Sequence, residues 1–158
     1  MSEPNASSGS SGAPLIRVSL VEDERGTREN FAALLQRSPG LSCLGAYHAA
    51  EEALEKVPLS PPDVLLMDLH LPRLSGVECV RRLKERLPAL RILMFSKFED
   101  ADYLFRALKA GANGYLSKLT PPDELLRAIR QAHAGGAPIS AQIAARMVDY
   151  FHQRAALE

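Results

Sequence analysis

An open, doubly wound α/β sheet of five parallel strands, in the order 2-1-3-4-5 and followed by a C-terminal helix, is the fold this sequence predicts. Three observations point there. Five short apolar runs alternate with stretches of helical apolar spacing, the sign of repeated βα units. The middle run, Asp63 to Asp68 (DVLLMD), is apolar at consecutive positions, as suits a strand covered by helices on both faces. Four of the runs end in an acid, a hydroxyl or a lysine. A length of 158 residues suffices for one core of ordinary size rather than two.

Met1 to Pro14, MSEPNASSGSSGAP, are small and polar without periodicity, so residues 1–14 are expected to be a flexible tail. The compact domain is expected over residues 15–135. Its first strand is Ile16 to Val21, and Thr27 to Arg37 follow with helical spacing at Phe31, Leu34 and Leu35 until Ser38-Pro39-Gly40 stops them. The second strand, Leu41 to Tyr47, precedes a helix from Ala49 to Val57, which PLSPPD breaks. After the third strand and its loop to Gly76 comes a helix from Val77 to Arg86, closed by Pro88. The fourth strand, RILMFS, ends at Ser96, and its helix, Ala101 to Ala110, ends at Gly111. The fifth, GYLS, leads into Lys118. Pro121-Pro122-Asp123-Glu124 then opens a helix with proline and acids in the first turn, where the missing donor and the macrodipole favour them.

Gly135-Gly136 ends the compact region, and residues 136–158 remain. Within them Ile139 to Phe151 carries Ile143, Met147, Val148 and Phe151 at helical spacing, a helix that packs on the domain or leads toward a partner. No internal repeat is visible.

Lys plus Arg equal Asp plus Glu at 19 each, so no net field draws the chain to nucleic acid or an anionic membrane. No secretory leader or membrane-length apolar run is visible, so a cytoplasmic protein is expected. Cys43 and Cys79 sit among apolar neighbours without zinc spacing, and read as small core residues in a reducing compartment. His48, His133 and His152 have no metal-ligand companion and read as surface side chains.

In such a sheet, ligands bind outside the carboxyl ends of the strands where strand order reverses, here between strands one and three. Those strands end in Glu22-Asp23 and in Asp68, while strands four and five end in Ser96 and Lys118. Three acids brought together repel unless a cation joins them, and hard oxygen ligands with room for water suit Mg²⁺. Lys118 adds a positive charge and Ser96 a hydroxyl, so the set is suited to holding a phosphoryl group. Asp68, alone at its strand end, is the natural nucleophile; Glu22 and Asp23 suit the metal.

These residues resemble the receiver domain of two-component response regulators over Leu15 to Ala134, through VEDE (Val21 to Glu24), VLLMDLHLPRLSG around Asp68, LMFSKFED around Ser96 and ALKAGANGYLSK (Ala107 to Lys118). The resemblance implies the flavodoxin-like (βα)5 fold. It also implies Asp68 as phosphoacceptor, with Glu22, Asp23, Asp68 and the backbone carbonyl of His70 as Mg²⁺ ligands. Ser96 and Lys118 would contact the phosphoryl group, and Tyr115 lands at the family's switch aromatic, moving with Ser96. His70 and Phe98 follow the phosphoacceptor and the hydroxyl residue by two positions each, and are expected to tune dephosphorylation.

Glu22 departs from the more frequent aspartate, and Leu119 follows Lys118 where many receivers have proline, so no cis peptide is expected there. The chain looks most like receivers that carry a LuxR-type helix-turn-helix output domain, which the sequence does not contain, and residues 136–158 would lead toward it. Leu157-Glu158 resembles a cloning-site remnant. What the resemblance implies is a phosphoacceptor signalling domain of a transcription regulator rather than an enzyme. A histidine kinase would be the donor and a homodimer the activated form, built on the helix four, strand five and helix five face or on helices one and five. DNA would be reached only through the output domain. A receiver that binds partners without phosphorylation and a Mg²⁺-dependent aspartyl-phosphate phosphatase are the alternatives. A nucleotide or flavin module is disfavoured, because G-x-G-x-x-G and tryptophan are missing.

Overall fold

The computed structural model describes residues 15–97 and 101–157, so the tail expected over residues 1–14 and Phe98 lie outside the described residues. The order of elements is β1 (Ile16–Val21), α1 (Arg25–Arg37), β2 (Leu41–Tyr47), α2 (Ala50–Lys56), a 3-10 turn (Val57–Leu59), β3 (Val64–Asp68), α3 (Gly76–Arg86), β4 (Arg91–Ser96), α4 (Ala101–Ala110), β5 (Gly114–Ser117), α5 (Pro122–His133) and α6 (Ala141–Leu157). The sheet is parallel in the order β2-β1-β3-β4-β5, as the sequence predicts.

Alternation along the central strands divides the core into two layers. Val18 and Leu20 of β1, Leu66 of β3 and Leu93 of β4 meet Leu35 of α1 and Leu125 and Ile129 of α5. Val21, Leu65, Met67, Ile92 and Met94 face the other way, onto Ala50 and Ala53 of α2, Val80 and Leu83 of α3, and Leu104 and Ala107 of α4. A leucine buried this completely contributes about 1.5–3 kcal/mol, so both faces of β3 hold the strand fixed. Cys79 is a core residue, and burial pushes its thiol up to about 12.

Several boundaries differ from expectation for local reasons. α1 begins at Arg25, two residues before the expected Thr27, because the Glu24 carboxylate accepts from the backbone N–H groups of Gly26 and Thr27 and caps the helix. β3 begins at Val64 rather than Asp63, whose carboxylate accepts from Arg17 N at 2.8 Å. α3 begins at Gly76 because Ser75 caps it, accepting from Glu78 N at 3.1 Å. α2 gives way to the 3-10 turn at Val57, where Pro58 follows.

The C-terminal helix is longer than Ile139 to Phe151 and starts later. Ser140 accepts from Ile143 N at 3.1 Å and caps it, and no glycine or proline follows to stop it. α6 lies on α4: Phe105 packs on Tyr150 and Phe151 with ring centroids 5.0 and 4.9 Å apart, and the Tyr150 hydroxyl donates to Asp102 Oδ1 at 2.8 Å. Ile143 is buried in the layer that holds Leu104 and Tyr115. Before α6, Pro138 runs along the outer edge of β5, its carbonyl accepting from Tyr115 N at 3.0 Å. No described helix is long and apolar enough to cross a membrane.

Candidate functional site

The carboxyl ends of β1, β3, β4 and β5 open on one side of the sheet, where a small cavity of about 180 Å³ is lined by Glu22, Asp23, Glu24, Asp68, His70, Ser96, Lys97 and Lys118. Each sequence-predicted acid arrives by a different physical route. Asp68 is the last residue of β3, whose five residues are all buried, and is itself 3% exposed. Glu22 follows β1, its N–H donating to Tyr47 O at 2.9 Å, and only 1% of it is exposed. Asp23 is exposed, and the Arg28 guanidinium donates to the carbonyls of Glu22 and Asp23 at 2.9 and 3.3 Å, fixing the turn that presents them.

Lys118 closes the ring from the end of β5. Its ammonium donates to Asp68 Oδ2 at 3.1 Å, forms an ion pair with Glu22 Oε1, and stands 5.1 Å from the centre of the Phe95 ring. The other oxygen of Asp68 accepts from His70 N at 3.0 Å, and Glu22 Oε2 accepts from Glu24 N at 2.8 Å. Burial pushes Glu22 above its ordinary range and the Asp68 charge adds to this, against the pull of Lys118 and of the Glu24 amide. Burial opposes the charge of Lys118, yet the two carboxylates outweigh it and hold the amine above its usual range.

Four carboxylates (Glu22, Asp23, Glu24 and Asp68) against two lysines (Lys97 and Lys118) leave the pocket short of positive charge. Glu22, Asp23 and Asp68 each offer an oxygen, and these atoms lie within 4.8 Å of one another. Such an all-oxygen set, with one exposed side open to water, fits Mg²⁺ better than a softer metal.

Ser96 is buried at the end of β4, where its carbonyl accepts from Lys118 N at 2.9 Å. Tyr115 lies two residues before Ser117, the β5 partner of Ser96, and is 1% exposed, under the layer that α4 and α6 cover. The peptide after Lys118 is not cis, in keeping with Leu119 at that place. His70 sits at the rim with its ring exposed and packs edge to face on Tyr103 of α4.

Sequence reasoning missed Glu24, Lys97 and Tyr103 as neighbours of this site. Glu24 was readable, since an acid three residues before Thr27 can cap a helix. Tyr103 carried no signal, because a lone aromatic in the first turn of a helix looks like any surface residue.

Comparison with known proteins places these features in a familiar setting. The family model described as the response regulator receiver domain matches residues 18–130. The transcriptional activator protein ExaE of Pseudomonas putida is 39% identical over 132 residues, covering 82% of this chain and 61% of that protein. The transcriptional regulatory protein LnrK of Bacillus subtilis is 32% identical over 135 residues, covering 85% of this chain and 61% of that protein. The crystal structure of a LuxR-family two-component response regulator from Aurantimonas superposes with a TM-score of 0.81 at 33% identity, over 86% of this chain and 97% of that one. The chain thus spans about three fifths of the length of these two curated relatives.

Proposed function

The chain belongs to the response regulator receiver domain family of two-component systems, and from that membership we propose that it is a phosphorylation switch with Asp68 as phosphoacceptor. The observation that carries the reading is the meeting of Asp68 with Glu22, Asp23 and Lys118 at one strand-end cavity. Residues 15–135 form the receiver on this reading. Residues 136–158 lead toward an output domain of the kind its transcriptional relatives imply, through which DNA would be reached.

A histidine kinase supplies the phosphoryl group as phosphohistidine. A carboxylate oxygen of Asp68 attacks phosphorus, the phosphorus–nitrogen bond breaks, and the imidazole leaves with the electron pair and takes up a proton. Lys118 and the Ser96 hydroxyl neutralise charge on the phosphoryl oxygens as it develops. Glu22, Asp23, Asp68 and the His70 carbonyl would hold Mg²⁺, which would supply further positive charge to those oxygens. As Ser96 turns toward the new group, Tyr115 follows, and the repacked face of α4, β5 and α5 carries the signal to a second copy of the chain. The site serves the protein's own phosphorylation and dephosphorylation rather than an external substrate.

Intact mass after incubation with Mg²⁺ and acetyl phosphate tests this. One phosphoryl group on the parent and none on Asp68→Asn is the expected result, with sizing of the product to detect the dimer. No gain on a folded parent would overturn the reading and leave the receiver that binds partners without phosphorylation.

A further inference from the structure

His70 and Tyr103 meet edge to face, ring centroids 5.3 Å apart and planes at 85°. The contact joins the turn after β3 to the first turn of α4, whose partners lie far apart in the chain. His70 is tied to the phosphoacceptor through its N–H, 3.0 Å from Asp68 Oδ1. His70, like Asp23, lines two cavities. One is the acidic pocket with Asp68, Ser96 and Lys118; the other, about 340 Å³, is lined by Leu71, Pro72, Ser75 and Tyr103. His70 therefore stands where the acidic pocket meets an outer space that Tyr103 also lines, and its ring rests against Tyr103.

Tyr103 is 39% exposed, too open to be explained as core. The Arg106 guanidinium lies 5.4 Å from its ring centre and pairs with Asp102 at 3.3 Å, so the phenol ring is braced within its own helix. An exposed histidine without such a neighbour samples several rotamers, and an edge-to-face contact narrows them.

Resting on the reading that Asp68 takes up a phosphoryl group, we infer that Tyr103 is a positioning residue that holds the His70 imidazole as a screen on the water side of the acyl phosphate and so prolongs its life. In the step it restrains, water oxygen attacks phosphorus and the bond from phosphorus to the Asp68 oxygen breaks. The electron pair returns to the carboxylate, and both water protons leave on dihydrogen phosphate. Neither His70 nor Tyr103 exchanges a proton in this account; the ring excludes the attacking water.

The test follows loss of the phosphoryl group from acetyl phosphate-loaded protein after removal of the donor. Tyr103→Ala is expected to speed the loss roughly threefold to tenfold, the range one aromatic contact can hold, while Tyr103→Phe keeps close to the parent rate. In a His70→Ala background, Tyr103→Ala should add nothing further. An unchanged or slower loss in Tyr103→Ala, or an equal acceleration in the His70→Ala background, overturns the inference. A second readout needs no phosphorylation. The His70 ring-proton NMR signals, assigned with His70→Ala, should shift in Tyr103→Ala and stay in Tyr103→Phe; unmoved signals also overturn it. A parent that takes up no phosphoryl group while showing the ring shift would instead overturn the phosphorylation reading and spare the contact.

Discussion

The Lys118 ammonium lies 3.1 Å from Asp68 Oδ2 while also pairing with Glu22, so the residue just after β5 supplies the countercharge for acids delivered at the ends of β1 and β3. Removing it leaves two buried carboxylates facing each other. We expect Lys118→Met to lose about 3 kcal/mol of stability in Mg²⁺-free buffer, read by urea denaturation. Added Mg²⁺ should recover more in the variant than in the parent, and acetyl phosphate labelling should fall by at least about tenfold. Equal Mg²⁺ stabilisation of both proteins would contradict the countercharge role.

The second prediction concerns pH. Burial raises Glu22 above its ordinary 4.5, so the folded protein binds that proton more tightly than the unfolded chain. Its contribution to metal-free stability is therefore full below 4.5 and declines as pH rises from there through the raised value. Mg²⁺ competes with the same proton and binds only the folded form. The rise in melting temperature on adding Mg²⁺ should be larger at pH 7.5 than at pH 5, and EDTA should abolish it; a larger rise at pH 5 would reverse the sign and refute this assignment.

A third prediction concerns the backbone under the site. A Cβ at Gly76 would collide with the backbone oxygen of Asp68 and come within 3.2 Å of that of Leu69, so α3 can start against the end of β3 only with glycine there. Gly76→Ala should cost about 1–3 kcal/mol and slow labelling of Asp68, because the strand end that carries the carboxylate must shift. Parent-like labelling together with parent-like denaturation would show that the loop yields instead.

The strands were legible because each is a short apolar run bounded by polar residues, and Asp68 stood out as an acid ending the most buried of them. Glu22 and Lys118 followed from strand order alone. What the sequence did not show depended on contacts between distant segments. Asp63 reads as strand until its carboxylate is seen to be taken by Arg17 N. The pairing of His70 with Tyr103 joins the loop after β3 to the first turn of α4, an approach that only the folded chain fixes. The seat of α6 is of the same kind: its apolar spacing was plain, but Phe105 as the residue that receives Tyr150 and Phe151 was not.

The Pro138 carbonyl on Tyr115 N has a consequence for self-association. A sheet rim with free N–H groups invites strand addition from another chain. On the β5 side Pro138 takes up such a donor, and Gly114 leaves room for it, since a Cβ there would come within 2.6 Å of the same oxygen. The β2 rim has the half-open Leu44, and its register slips against β1 between Val18 and Ser19, an irregularity that discourages regular stacking. A fragment cut before Ala137 would therefore bare a second rim together with the apolar face of α4, and should aggregate more readily than the longer chain.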